Sequence, residues 1–267
     1  MKKLFFIGGG KMASAIAGGL TGTGTFEAAE LGAFDPDENA AGRFTAATGV
    51  AACTDSPESG IRDAEAVLVA VKPQVIAKAL EKHRELLRGK LIISIVAGVS
   101  IGRLHELTGS DRIIRVMPNT PALVGKGAAA YAVAAAVSAE EELLTQKIFS
   151  SVGIAVKLKE ADLDAVTALS GSGPAYAFEF AQAMADGGVA EGLPRDVAIR
   201  LAAQTMLGAA EMILSTGEHP AVLKDKVTSP AGTTARALEE LAARGFAGSI
   251  IKAVRAAAAR SRELGKC

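Results

Sequence analysis

Lys3-Leu4-Phe5-Phe6-Ile7-Gly8-Gly9-Gly10-Lys11-Met12-Ala13 reads as a strand, a glycine turn and the opening of a helix. The apolar residues run on without polar alternation, as in a parallel strand covered on both faces. Beyond the glycines, Ile16 and Leu20 continue at helical spacing. Gly8-x-Gly10-x-x-Ala13 is a dinucleotide fingerprint with alanine in its third place. Gly8 permits the tight turn, Gly10 lets a pyrophosphate approach the backbone, and the small Ala13 lets helix and strand pack. The helix N-terminus, opened by Lys11 and Met12, then faces the phosphates. A plain tight turn uses the same glycines, and it is the strand before and the helix after that favour a cofactor loop.

The next strand, Leu31 to Phe34, ends at Asp35-Pro36. An acid at this point hydrogen-bonds the adenosine ribose hydroxyls and disfavours a 2′-phosphate, which leans toward NADH. Asp35 also suits a turn with Pro36 and a cap on the helix beginning near Glu38. Arg43, Lys11 or groups from Thr54 to Ser56 offer a phosphate a partner, so NADPH and NADH both stay open. Three more apolar runs, residues 66–71, 91–96 and 112–117, lead into Lys72-Pro73, Ala97-Gly98 and Pro118-Asn119-Thr120-Pro121. Ligands of a doubly wound sheet gather at the carboxyl ends of its strands. Lys72, Pro73, Ala97 and Gly98 are therefore candidates to line the nicotinamide half of the cleft. Short strands near residues 128–133 and 154–158 extend the sheet.

From Ala161 onward strand-like runs disappear, which sets expected domains at 1–160, a dinucleotide-binding unit, and 161–267, a helical unit. Ser170-Gly171-Ser172-Gly173-Pro174 is expected as a loop, with Pro174 in the first turn of a helix. That helix, residues 175–189, is apolar nearly all round apart from Glu179, Gln182 and Asp186. The next, residues 194–214, carries Val197, Leu201, Ala202, Met206, Ala209 and Ile213. Helices with so little polar face need burial on several sides, so subunit packing through this domain is expected. Residues 224–238 look like a loop that becomes a helix. Ser229 and Pro230 set the turn, Gly232 brings the backbone close, and Thr233 and Thr234 sit where the first helical N–H groups lie unsatisfied. Such a terminus suits a small carboxylate; simple capping by Ser229 or Thr233 is the alternative.

Composition removes other classes. The 267 residues are 49% hydrophobic with no Trp, two Tyr and nine Phe, so a large core must come from Ala, Val, Leu and Ile. Lys+Arg and Asp+Glu are both 29, and this zero formal charge gives no field to recruit nucleic acid or an anionic membrane. Cys53 and Cys267 have no paired spacing for a disulfide or zinc, and His83, His105 and His219 are isolated, so no metal is implied. The first apolar run is too short for a signal peptide and no uncharged stretch approaches a membrane span, so a cytoplasmic protein is expected.

The glycine loop with Met12, Ala70-Val71-Lys72-Pro73, Met117-Pro118-Asn119-Thr120-Pro121, Ser170-Gly-Ser-Gly-Pro-Ala-Tyr176 and Lys224-Asp-x-Val-x-Ser-Pro-x-Gly-Thr-Thr234 occur in that order. Together they resemble the pyrroline-5-carboxylate reductases, over essentially the whole chain. The resemblance implies hydride transfer from NADPH or NADH to the ring carbon of a cyclic imine, giving L-proline. It places Met12, Ala70 and Val71 with the cofactor residues above, to which Ser56 already belongs. It places the substrate carboxylate at Ser229, Gly232, Thr233 and Thr234, with Lys226 contributing through its backbone and Glu160 approaching the product. Thr234 is the candidate to hydrogen-bond the imine nitrogen or orient a water. No His, Lys or Cys in these motifs suits a general acid, so the imine is expected to bind already protonated. The family forms interlocked homodimers and larger rings. It usually has Gly-Gly before the threonines; Ala231 stands at the first here, and ordinary dihedrals are expected there. A β-hydroxyacid dehydrogenase would need a catalytic Lys on the helix after residue 175, where residues 175–193 hold neither Lys nor Arg. A non-catalytic dinucleotide sensor would not need the stretch from Ser229 to Thr234.

Overall fold

Adjacent residues of β1 (Lys2–Ile7) point to opposite faces of one sheet. Leu4 and Phe6 enter an apolar layer with Ile16, Leu20, Phe44, Ile148 and Phe149. Phe5 and Ile7 enter another with Ile61, Leu80, Leu87, Leu104 and Leu107. Both faces are covered by helices, so the strand needs no polar side and its sequence shows none. This computed structural model describes residues 2–265, and Cys267 lies outside them.

β1 leads into α1 (Lys11–Gly22), β2 (Leu31–Phe34) into α2 (Glu38–Thr48), and β3 (Ala52–Cys53) into α3 (Glu58–Asp63). β4 (Ala64–Val69) is followed by α4 (Ile76–Leu80) and α5 (Arg84–Leu87), and β5 (Leu91–Ser94) by α6 (Ile101–Thr108). Then come β6 (Ile113–Met117), β7 (Gly127–Val133), α7 (Ala139–Ser150), β8 (Gly153–Lys157) and α8 (Leu163–Val166). Among the described residues the strands form one eight-stranded sheet in the order β3-β2-β1-β4-β5-β6-β7-β8. All neighbours pair in parallel except β6 with β7. The order reverses between β1 and β4, and this is where a doubly wound sheet opens a crevice at its carboxyl ends.

The chain divides into two compact units, residues 2–172 with 257–265, and residues 173–256. This spatial division differs from the 1–160 and 161–267 expected from the sequence. Residues 161–172 belong with the sheet for a packing reason: Leu163 is fully buried against Ala130 and Ala132 of β7. Ser261 Oγ donates to Asp164 Oδ1 at 2.6 Å, fixing the end of the last helix to the same segment. Ser170 to Pro174 is not a loop. Thr167–Gly171 is a π-helical turn, and the next helix starts at Gly173. Thr167 and Ser170 donate their hydroxyls back to the carbonyls of Leu163 and Val166, a back-bonding that loosens α-helical spacing.

The second unit holds α9 (Gly173–Ala190), α10 (Arg195–Thr216), α11 (Pro220–Lys226), α12 (Thr233–Ala243) and the start of α13 (Phe246–Leu264). α9 and α10 meet over the small residues Ala185, Ala198 and Ala202. The Phe180 and Phe246 rings lie 5.6 Å apart. Phe178, Ile199, Leu201, Leu207 and Leu214 stay exposed, and α10 is long and apolar enough to cross a membrane by length and composition alone.

His83 is buried, and neither ring nitrogen has a hydrogen-bond partner among the described residues. Burial pushes its pKa down and Lys82 adds to this, against the weaker opposite pull of Glu58 at 3.9 Å. The folded state therefore keeps His83 neutral where the unfolded chain already binds a proton, so stability is complete above 6.5 and falls as the pH drops below it. The expected result is a thermal midpoint that declines as the pH is lowered below 6.5, with a shallower decline in His83→Leu, read by circular dichroism melts at each pH.

Candidate active site

Gly8 lies between the ends of β2 and β4: its N–H donates to the Phe34 carbonyl at 2.8 Å, while the Ile7 carbonyl accepts from Ala70 N–H at 2.8 Å. Its φ is +105°, and a Cβ there would sit 2.7 Å from the Ala70 carbonyl oxygen and 3.2 Å from Val71 Cγ1. Only glycine meets both demands. Gly10 is different. It is the N-cap of α1 and exposed, and a Cβ on it would meet nothing within 4 Å. No side chain caps the helix. The first intrahelical bond is Ser14 N–H to the Gly10 carbonyl at 2.9 Å, which leaves the N–H groups of Lys11, Met12 and Ala13 without a partner among the described residues. Open space before a row of free donors is a cradle for an anion, and it fits a pyrophosphate.

The other expected cofactor residues surround this cradle. Asp35, half-buried just past β2, accepts the Gly9 N–H on Oδ2 at 2.8 Å and the Asp37 N–H on Oδ1 at 3.0 Å. Cys53 Sγ donates to the Ala33 carbonyl at 3.4 Å and the Ser56 carbonyl at 3.3 Å, tying the Ser56 loop to β2. Burial raises the Cys53 thiol pKa, so this is a structural thiol rather than a reactive one. Ala70 and Val71 follow β4, with Lys72 and Pro73 exposed at the next turn. Ala97 and Gly98 are exposed beyond β5, and Gly98 has φ +76°.

Glu160 joins this neighbourhood by an unexpected route. Its Oε1 accepts the Ile101 N–H at 2.7 Å and Arg115 Nη1 at 3.2 Å. The carboxylate thus caps the start of α6, next to the Ala97-Gly98 loop, and is held by a guanidinium that is only 14% exposed. Asn119 does similar work elsewhere: Nδ2 donates to the Ser170 carbonyl at 3.0 Å and Oδ1 accepts from Ala128 N–H at 2.8 Å.

In the second unit, residues 224–226 are the last turn of α11 rather than loop. Lys226 Nζ is held by both Glu218 oxygens at 2.7 and 2.6 Å. Ser229 to Gly232 closes a turn, with the Gly232 N–H donating to the Ser229 carbonyl at 3.0 Å. Pro230 takes its second position and Ala231 its third with φ +53°, the arrangement of a type II turn, which favours glycine there. The expectation of ordinary dihedrals at Ala231 is corrected: the turn forces the left-handed region. A Cβ on Gly232 would meet Ser229 Oγ at 2.3 Å. Gly232 is the N-cap of α12, with no side-chain cap. Arg236 N–H to the Gly232 carbonyl, at 3.3 Å, is the first helical bond. The N–H groups of Thr233, Thr234 and Ala235 and both threonine hydroxyls therefore have no partner among the described residues. This terminus could accept a carboxylate.

A family model described as pyrroline-5-carboxylate reductase dimerisation matches residues 160–264, and one described as NADP oxidoreductase, coenzyme F420-dependent, matches residues 3–98. Pyrroline-5-carboxylate reductase of Arabidopsis thaliana is 45% identical over 98% of this chain and 95% of its own length. That of Methanosarcina acetivorans is 43% identical over 99% and 98%. The chain belongs to the pyrroline-5-carboxylate reductase family. Among solved structures, the family member from Coxiella burnetii superposes with a TM-score of 0.93 at 33% identity, covering 98% of each chain. The Plasmodium falciparum enzyme, solved with NADP bound, gives 0.87 at 36%, covering 99% of this chain and 98% of its own.

Within this family framework, Asn119, Arg115 and Cys53 are the residues whose positions sequence reading left unassigned. Their signal is geometric: each bridges segments far apart in the chain. The two loop glycines should separate stability from binding. Gly8→Ala is expected to lower stability by roughly 2–4 kcal/mol, whereas Gly10→Ala should leave the melting curve nearly unchanged and weaken dinucleotide binding, measured by calorimetric titration. Ala231→Gly should raise stability by about 1 kcal/mol by relieving the left-handed alanine, less glycine's greater unfolded-state entropy, as read by urea denaturation.

Proposed function

We propose that the chain reduces 1-pyrroline-5-carboxylate to L-proline with a hydride from NADPH or NADH, as the last step of proline synthesis. The observation that carries this reading is the uncapped start of α12, where a tight turn leaves three backbone N–H groups and two hydroxyls free. In this proposal the substrate carboxylate is held by the N–H groups of Thr233, Thr234 and Ala235. Ser229 and Gly232 shape the turn that presents them. Lys226 contributes only through its backbone, because its ammonium is neutralised by Glu218.

The bound reduced nicotinamide supplies the hydride, which adds to the imine carbon while the ring nitrogen keeps its proton and becomes the amine of proline. Gly8, Gly10, Lys11 and Met12 hold the pyrophosphate at the start of α1. Asp35 and Ser56 flank the adenosine ribose, and residues 70–73 with Ala97 and Gly98 line the nicotinamide. Glu160 reaches this arrangement by fixing the start of α6 through Ile101 and Arg115. None of the proposed substrate residues is a strong acid. The imine binds as the protonated iminium, so that most of the rate comes from holding the two carbons in contact. The Thr234 hydroxyl oxygen accepts a hydrogen bond from the ring N–H or orients a water beside it.

The working form proposed is a cytoplasmic homo-oligomer. Exposed Phe178, Leu207 and Leu214 lie within the segment matched by the dimerisation model, and a second copy of this chain is the natural cover for them. Absorbance at the reduced-nicotinamide band, with 1-pyrroline-5-carboxylate and either cofactor, should show substrate-dependent loss. A protein that binds the cofactors but never oxidises them with this substrate would remove the proposal. Thr234→Ala is expected to lower kcat by about 10–100-fold with little change in cofactor affinity. Unchanged turnover would take Thr234 out of the chemical step.

A further inference from the structure

Asp35 is held more firmly than a turn residue requires. Each carboxylate oxygen accepts one backbone N–H, Oδ2 from Gly9 at 2.8 Å and Oδ1 from Asp37 at 3.0 Å. The Gly9 bond ties the carboxylate to the glycine loop itself, across 26 residues. A Cβ on Gly9 would stand 3.4 Å from Asp35 Cβ, so the two segments already touch. A carboxylate has about four acceptor sites, so each oxygen keeps a lone pair for an outside donor. Two vicinal hydroxyls can supply such donors, whereas a phosphate oxygen brings only more acceptors.

The surroundings reinforce this charge. Asp37 caps α2 through Asn39 N–H, Glu38 occupies the first turn of α2, and Asp55 follows β3. The basic residues on the two helices that follow β1 and β2 are Lys11 and Arg43. Lys11 opens α1, at the helix end that faces the pyrophosphate. Arg43 lies five residues beyond Glu38 along α2, roughly 7.5 Å along the axis. Among the described residues neither forms an ion pair with Asp35, which is held by backbone N–H groups alone.

We propose that Asp35 makes NADH the preferred reductant, by accepting both adenosine ribose hydroxyls and repelling a 2′-phosphate. The inference rests on the reading of the first unit as a nicotinamide-dinucleotide site. A dianion about 6 Å from one fixed carboxylate, even at the dielectric of bulk water, loses about tenfold in affinity. The flanking acids add to that.

Equilibrium titration without substrate separates this inference from the catalytic one. Fluorescence anisotropy of the reduced nicotinamide should give NADH at least about tenfold tighter than NADPH in dilute buffer, a gap that narrows as salt screens the repulsion. Asp35→Ser should gain affinity for NADPH relative to NADH, and Asp35→Asn, which keeps the shape and an acceptor for Gly9, should narrow the gap in the same direction. NADPH binding as tightly as NADH in the unmodified protein overturns the proposal, whatever the variants do. A salt-independent gap, or a ratio unchanged in a variant that still binds NADH, overturns the electrostatic role of Asp35. Failure of both nucleotides to bind would sink the cofactor reading together with the inference. Tight NADH binding without turnover would sink only the reductase reading.

Discussion

At Gly8 the backbone passes so near β4 that one added methyl would strike the Ala70 carbonyl. The rest of the first unit depends on this approach. β1 must leave the sheet between two neighbours that both hydrogen-bond to its end, turn with a positive φ, and enter α1 without a side-chain cap. A cap would satisfy the first N–H groups, and the helix would then offer an anion little. The same economy governs α12, where Gly232 also starts a helix with no side chain over its donors. Two helices, one in each unit, thus carry unpaired polar groups that a folded chain normally satisfies. With glycine at the N-cap, each gives up only about a few tenths of a kcal/mol relative to a capping side chain.

Much of the sheet was legible because burial on both faces leaves a plain mark. Residues 31–34 read as a strand and form one, and residues 91–96 and 112–117 shorten only at their ends. β3 escaped because two residues carry no period. The π-helical turn at Thr167–Gly171 escaped for another reason. Ser170, Gly171 and Ser172 are loop formers by propensity, and what holds them in a helical turn is tertiary: Asn119 donating to the Ser170 carbonyl, and Met117 packed where Gly171 has no side chain. No local rule contains a partner 51 residues away.

Candidate site residues were legible to different depths. Glycines and helix starts announce themselves, because the need for a missing Cβ or an open N-terminus is local. Glu160 shows the limit. Its place beside the Ala97-Gly98 loop follows from capping α6 and pairing with Arg115, contacts that span 59 and 45 residues. Those contacts also assign its side chain: an Oε1 already accepting two donors is better suited to fixing Ile101 than to meeting a negatively charged substrate. A product carboxylate near Glu160 would meet the backbone more favourably than this carboxylate.

Ala231 stands where the turn, the proline before it and the helix after it all act on one residue. A left-handed alanine is strained by about 1–2 kcal/mol, and the chain has a ready alternative in glycine. The turn nevertheless keeps its shape, because three constraints fix it independently. Pro230, the residue before Ala231, has its own φ fixed by its ring. The Gly232 N–H is bonded to the Ser229 carbonyl. Gly232 must stay close to Ser229, where a Cβ would clash at 2.3 Å. A turn determined from three sides tolerates the wrong residue at its third position, and the strain remains local. If the turn served only to connect two helices, a longer and looser link would be easier to form. Its retention under strain is what a backbone built to present N–H groups at a fixed place would show.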